Sequence, residues 1–218
     1  HEGLEIFYKR WRDADAEGRP TPGLEDLQRD VRARFIANWP RDRAIDEAKG
    51  EQLGAMIRLF WDRMHRDDAH IEELEKSIHM PYVCDGQTHT LTAKIDRVDA
   101  GEYGGRRVID YKTGAARKEL TEPKKTDLQM GIYAMAITHE LGDPGPGCVC
   151  EYWCLQDGSR GVIGFDALNM KKIRSAIDQT IHGLLAGDWS RGNNCKREDA
   201  PCTILDAPGV DISHQADG

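Results

Sequence analysis

The fold predicted for this chain is decided by residues 91–114, which read LTAKIDRVDAGEYGGRRVIDYKTG. Two segments with the composition of strands flank a glycine-rich turn; the first contains Asp96 and the second ends at Asp110, Tyr111 and Lys112. Because side chains alternate between the two faces of a strand, Asp110 and Lys112 point to the same face. Pairing of the two segments as a hairpin would bring Asp96 close to Asp110. The sequence therefore predicts two carboxylates and an ammonium group at one end of a small sheet.

Carboxylates that face each other repel, so such a pair needs a cation between them. A hard, oxygen-seeking ion such as Mg²⁺ fits one or two carboxylates together with water and phosphate oxygens. The cluster therefore indicates a divalent-metal site that acts on a phosphate.

Composition restricts the classes of protein. The chain has 218 residues, which predicts one domain or a domain with an elaboration, and its net charge of -8 argues against a protein that coats nucleic acid non-specifically. Residues 106–125 nevertheless carry seven basic against three acidic side chains, a local charge of +4. Four of these basic residues are candidates for contact with the phosphates of a substrate: Arg117, Lys118, Lys124 and Lys125. The alternative for each is a solvated loop residue.

Three segments carry a resemblance to a known family: Ile-Asp-Arg-Val-Asp at 95–99, Val-Ile-Asp-Tyr-Lys-Thr-Gly at 108–114, and Gln129 followed four residues later by Tyr133. In this order they resemble the PD-(D/E)xK nucleases of the RecB/AddB type. That group includes the nuclease domains of helicase–nuclease complexes and CRISPR-associated relatives. The match covers residues 70–140 well and the start of the chain more weakly.

The resemblance implies an α/β fold with a restriction-endonuclease-like core. This core is a central mixed sheet of about five strands flanked by helices, with an N-terminal helical part. Helical spacing of apolar residues and the positions of glycine and proline place the boundaries. Residues 1–68 are expected to form N-terminal helices that pack on or complete the core, residues 69–186 the nuclease core, and residues 187–218 an irregular segment.

The resemblance also implies metal-dependent hydrolysis of phosphodiester bonds in DNA, with Mg²⁺ or Mn²⁺ as cofactor. Asp96 and Asp110 would bind the metal, helped by the main-chain carbonyl of Tyr111. Lys112 would orient or activate the attacking water and offset the charge of the transition state.

A helix is predicted from about residue 126 to 141, and Gln129 and Tyr133 lie on one face of it. In the resembled family this pair lies beside the metal and positions phosphate or water. The alternative is a surface glutamine with a half-buried tyrosine. The family order relative to Lys112 favours the functional interpretation.

Two further metal ligands are candidates by resemblance. His1 opens the pattern His-Glu-Gly-Leu-Glu, which matches the histidine-bearing first helix of the family; the alternative is a disordered terminal histidine. Glu75 is the candidate glutamate of the first strand, with Glu73 as second choice; an exposed edge-strand carboxylate is the alternative.

An iron–sulfur cluster, which some relatives carry, is not expected. Such a cluster needs four thiolates, and only Cys195 and Cys202 lie in the late region where three would be required. The six cysteines show no disulfide-rich spacing, which predicts a reducing cytoplasm. The chain has no apolar run of membrane-spanning length, and its first residue, His1, suggests a piece of a longer protein or a processed chain.

The sequence contains no zinc finger, helix-turn-helix signature or P-loop. Without a base-reading motif the chain is expected to have weak sequence specificity, which favours an exonuclease or a helicase-coupled nuclease. Without a P-loop, any ATP-driven motor is expected on another segment or subunit. The competing class is a catalytically inactive DNA-binding or scaffold module of a helicase–nuclease complex. Such copies usually lose an aspartate or the lysine, and Asp96, Asp110 and Lys112 are all present.

Overall fold

The computed structural model describes residues 1–38, 43–142 and 146–187. Residues 1–176 form one compact unit and residues 177–218 a second. The predicted irregular segment and both late cysteines lie outside the described residues, apart from Gly187. Within the described ranges, no helix is long and apolar enough to cross a membrane.

The chain begins with three helices, as its apolar spacing predicts: α1 (Glu2–Ala16), α2 (Leu24–Asn38) and α3 (Arg43–Arg63). The first helix ends at Ala16, and Gly18 in the turn that follows has a φ of +64°, which suits glycine and carries the chain toward Pro20 and Pro22. Helices α1 and α2 pack closely at Gly3, where an added Cβ would lie 2.6 Å from the Cα of Val31.

A mixed sheet follows. Its strands are β1 (Ile71–Cys84), β2 (Gln87–Ala100), β3 (Arg106–Lys112), β4 (Val149–Cys154) and β5 (Ser159–Gly164). They lie side by side in sequence order, and all neighbours are antiparallel except β3 and β4, which are parallel. A parallel pair of strands needs a crossover connection, and the connection from β3 to β4 contains a helix at Leu128–Leu141.

The remaining helices are α4 (Lys118–Thr121), α5 (Leu128–Leu141) and α6 (Met170–Leu185). Apolar spacing in the sequence predicts helices at about 126–141 and 168–185, each starting within two residues of the observed α5 and α6. For residues 115–126 the sequence predicts a loop, and there α4 forms a single helical turn. Asp127 caps α5, because its side chain accepts a hydrogen bond from the Met130 amide at 3.0 Å. The α/β class, the mixed sheet and the helical N-terminal part are thus as predicted.

The N-terminal helices share one core with the sheet. Phe7 and Tyr8 of α1 and Phe60 of α3 lie in the same buried cluster as Tyr111 of β3 and Trp153 of β4. The ring centroid of Phe60 lies 6.1 Å from the ring centroid of Tyr111 and 6.1 Å from that of Trp153. Burial of these rings fixes α1, and therefore His1 at its start, against the strand that carries Tyr111.

A charged pair lies inside this core. Arg97 is 1% exposed and donates two hydrogen bonds to Asp99, at 2.6 and 2.7 Å. Its guanidinium also lies 4.2 Å from the centroid of the Tyr8 ring. The sequence offers two structural roles for Asp99, pairing with a neighbouring base or capping the turn, and the structure shows the pairing with Arg97.

His65 gives the stability of the protein a dependence on pH. Its ring stacks on Trp61 with a centroid separation of 4.0 Å, and its Nδ1 lies 3.0 Å from the Tyr8 hydroxyl. Burial lowers the pKa of His65, and the exposed carboxylate of Asp67 opposes this only in part. The neutral ring is therefore favoured in the folded state.

We expect the free energy of unfolding to be highest above the unfolded pKa of about 6.5 and to fall as the pH drops toward the lower folded pKa. Urea unfolding of wild type and His65→Phe at about pH 7.5 and pH 5.5 measures this. Wild type should lose more stability than the variant across that interval. Equal losses would contradict the assignment.

Candidate active site

The site forms where β2 and β3 separate. Their ladder of paired residues ends at Arg97 opposite Ile109, and one step further would place Asp96 opposite Asp110. Instead, the Asp96 side chain enters the gap and its Oδ2 accepts a hydrogen bond from the Tyr111 amide at 2.8 Å. A side chain thus replaces a backbone partner, so the strands diverge and both carboxylates face the opening.

Asp110 is held by side chains of α5. Its Oδ1 accepts hydrogen bonds from Gln129 Nε2 and from the Tyr133 hydroxyl, both at 2.7 Å. Its Oδ2 lies 2.6 Å from Lys112 Nζ, yet it is buried and accepts no well-aligned hydrogen bond from the described residues. The side chains of α5 therefore fix Oδ1, whereas Oδ2 is paired with the Lys112 ammonium group.

Lys112 is positioned by the same helix and by β4. Its Nζ donates to Gln129 Oε1 at 3.0 Å and lies 4.9 Å from the centroid of the Tyr152 ring. The Tyr152 hydroxyl donates to Asp127 Oδ1 at 3.0 Å and lies 3.3 Å from Gln129 Oε1. This arrangement fixes the ammonium group beside Asp110.

Sequence reasoning missed Tyr152 and Asp127. By the period of two along a strand, Tyr152 shares a face with Cys148, Cys150 and Cys154, which predicts a buried side chain, and Tyr152 is buried. However, the parallel pairing of β3 and β4 places it directly beside Asp110, where its hydroxyl reaches the site. The only available signal was the position of Asp127 as the N-cap of the predicted helix, two residues before Gln129.

The structure brings His1 and Glu75 to Asp96. His1 Nδ1 lies 3.2 Å from Asp96 Oδ2, and one donor atom from each of His1, Glu75 and Asp96 lies within 4.8 Å of the others. Glu75 has a φ of +49°, rare for a non-glycine residue, and by register it lies across from Asp96. Glu73 instead forms an ion pair with Lys76 at 3.0 Å, so it is not the glutamate of this group.

The local environment shifts two pKa values. The hydrogen bond to Asp96 raises the pKa of His1. Burial raises the pKa of Asp110, and the hydrogen-bonding contacts of Lys112 and Tyr133 oppose this effect.

The four basic candidates lie in the connection from β3 to α5. Arg117, Lys118, Lys124 and Lys125 are all exposed. Lys118 lies 3.6 Å from Glu122, one helical turn later.

A groove of about 470 Å³ lies between β2 and the N-terminal half of α5. It is lined by Thr92, Ala93, Lys94, Leu128, Gln129, Ile132 and Tyr133. Because Gln129 and Tyr133 also hydrogen-bond Asp110, the groove leads directly to the carboxylates.

The donor set fits a hard divalent cation. His1, Glu75 and Asp96 converge, and the buried Oδ2 of Asp110 accepts no aligned hydrogen bond from the described chain. Carboxylate oxygens with one imidazole suit Mg²⁺ or Mn²⁺ better than a soft, thiolate-seeking metal.

Comparison with known proteins agrees with this geometry. The model of the PD-(D/E)XK nuclease superfamily matches residues 1–203, and the chain belongs to this superfamily of metal-dependent nucleases. Its members generally use divalent metals such as Mg²⁺. No curated protein matches the chain.

Among solved structures, the chain is similar to one titled "Crystal structure of SSO0001". The sequences are 12% identical, the match covers 86% of this chain and 97% of that chain, and the TM-score is 0.43. So distant a likeness adds nothing to the functional argument.

Proposed function

We propose that the protein is a divalent-metal-dependent deoxyribonuclease that hydrolyses phosphodiester bonds and acts as an exonuclease. The observation that carries this proposal is the convergence of Asp96, Asp110 and Lys112 where β2 and β3 separate. Two carboxylates can hold a metal ion and an adjacent ammonium group can stabilise developing negative charge, which suits metal-assisted phosphodiester hydrolysis.

Asp96 and Asp110 would hold the metal, together with the main-chain carbonyl of Tyr111, His1 and, as an additional ligand, Glu75. Bound there, Mg²⁺ or Mn²⁺ would polarise the phosphate, lower the pKa of a water molecule and stabilise the leaving oxygen. An iron–sulfur cluster forms no part of the proposal.

Lys112 orients the attacking water and offsets negative charge that develops on the phosphate. Its ammonium group is fixed by Asp110 at 2.6 Å and by Gln129 Oε1 at 3.0 Å, so little reorganisation is needed during the reaction. Gln129 and Tyr133 hold Asp110 through one oxygen and can also hold a phosphate or water in the groove that they line.

DNA is the proposed substrate, in processing, repair or defence. Arg117, Lys118, Lys124 and Lys125 would contact its phosphates from the connection that follows β3. A helicase or another subunit is the proposed protein partner, and the cytoplasm the proposed location. The absence of a base-reading motif from the sequence favours degradation from ends over cleavage at a chosen sequence.

Digestion of end-labelled DNA tests the proposal. Linear and closed circular substrates, single- and double-stranded, are incubated with Mg²⁺, with Mn²⁺ or with EDTA. We expect linear DNA to be degraded with either metal, circles to be spared, and no product in EDTA. A matched RNA strand shows whether the substrate class is DNA.

The outcomes separate the candidate functions. Cleavage of circles would replace the exonuclease by an endonuclease, and cleavage that persists in EDTA would contradict metal dependence. A wild-type protein that binds DNA and metal but cleaves nothing would favour the inactive binding or scaffold module.

A further inference from the structure

We infer that Lys94 holds Glu75 only while the site lacks a metal ion, and that metal binding releases its ammonium group to bind a phosphate of the nucleic acid. This inference rests on the proposed metal site and deepens it. It assigns to Lys94 a role in coupling metal binding to substrate binding.

Lys94 and the metal would compete for one carboxylate. Lys94 Nζ lies 2.6 Å from Glu75 Oε2. The same glutamate contributes a donor atom to the group formed with His1 and Asp96, whose donor atoms lie within 4.8 Å of one another. A cation bound by that group would therefore lie close to the position that the ammonium group now occupies, and two cations so close together repel.

Every carboxylate of this site has one basic partner in the described residues: Lys112 with Asp110, His1 with Asp96, and Lys94 with Glu75. The side chain of Lys94 is 65% exposed, whereas that of Lys112 is 26% exposed. Lys112 is also held by a second acceptor, Gln129 Oε1. Lys94 is therefore the partner that can leave with the smallest loss of contacts.

The released ammonium group would remain beside the carboxylates. Lys94 lies two residues from Asp96 on the same strand face, and its side chain is 65% exposed. A phosphate next to the one being cleaved could therefore approach it from solvent, and a free ammonium group is a suitable donor to a phosphate oxygen.

The first test is the affinity for Mn²⁺ alone, measured by titration calorimetry on the full chain. If Lys94 competes with the metal, Lys94→Met should bind Mn²⁺ about two- to fivefold more tightly, the scale of an exposed ion pair. If Lys94 merely orients Glu75 as a ligand, the variant should bind Mn²⁺ more weakly, and the inference is wrong. Lys76→Met is the matched control, because Lys76 also pairs with glutamates, Glu73 and Glu140, and should leave the affinity unchanged.

The second test is the salt dependence of binding to a labelled single-stranded oligonucleotide, with Ca²⁺ to prevent turnover. One phosphate contact contributes a slope of about 0.7 in a plot of log affinity against log salt concentration. Lys94→Met should lose about this amount with Ca²⁺ and nothing in EDTA, where Glu75 retains the ammonium group. An unchanged slope with Ca²⁺, or an equal loss in both conditions, would overturn the inference.

The failure of this inference differs from the failure of the proposed function. A wild-type protein that cleaves DNA and binds Mn²⁺, with an affinity that Lys94→Met leaves unchanged, removes only the role of Lys94. A wild-type protein that binds no divalent metal removes both.

Discussion

Replacement of Lys112 by alanine should lower kcat for DNA cleavage by about 10²–10³-fold while KM changes little. The ammonium group lies 2.6 Å from Asp110 and 3.0 Å from Gln129 Oε1, at the end of β3 where both carboxylates open to the groove. From that position it would act on charge that develops during the proposed reaction and would contribute less to binding of the ground state. Single-turnover cleavage of end-labelled DNA with Mg²⁺ measures the effect.

Lys172→Ala is the matched control, because Lys172 is exposed on α6 and lines none of the described site. Its activity should equal that of wild type. Thermal unfolding of each protein excludes loss of the fold as the cause. A Lys112→Ala protein that retains wild-type kcat would remove Lys112 from the chemistry, and one that raises only KM would make it a binding residue.

The second large effect concerns stability. Asp99→Ala should lower the free energy of unfolding by about 3–5 kcal/mol, because it leaves Arg97 as a buried charge without its carboxylate partner. Arg97 is 1% exposed and the Asp99 side chain 5% exposed, so water cannot replace the lost contacts. A loss of this size is a large fraction of a typical total stability of about 5–15 kcal/mol. Urea unfolding measures it.

Two further variants sharpen this result. Asp68→Ala removes an exposed ion pair with Arg66 and should cost less than about 1 kcal/mol. The double variant Arg97→Met with Asp99→Leu should recover much of the loss, since apolar residues of similar size often replace a buried ion pair without penalty. A loss for Asp99→Ala no larger than that for Asp68→Ala would show that the core admits water at Arg97.

The positions of the strands and helices could largely be predicted from the sequence. Alternating apolar residues, the glycine-rich turn after Ala100 and the prolines after Gly18 are local signals, and they set the ends of elements within a few residues. The single helical turn at Lys118–Thr121 carries no such signal, because four residues are too few to show a period. The family resemblance implied a mixed sheet of about five strands, whereas the strand order and the parallel pairing of β3 with β4 come from the structure.

In the candidate site, the sequence predicted which side chains lie together when those residues belong to the same strand or helix. Asp110 and Lys112 share a strand face, and Gln129 and Tyr133 share a helix face, so each pair follows from the geometry of one element. Asp127 and Tyr152 were missed because their hydroxyl–carboxylate contact joins the start of α5 to β4. No periodicity within either element predicts that contact.

The sequence by itself determined which elements form and which side chains each presents, because those properties depend on local backbone geometry and on the alternation of polar and apolar residues. Only the tertiary structure decided that Asp96 enters the gap between β2 and β3, that Glu75 rather than Glu73 joins His1, and that Lys94 neutralises Glu75. These contacts depend on strand register, on a positive φ at Glu75, and on the packing of α1 against the sheet. Each arises from residues far apart in the chain that burial of a common core brings together.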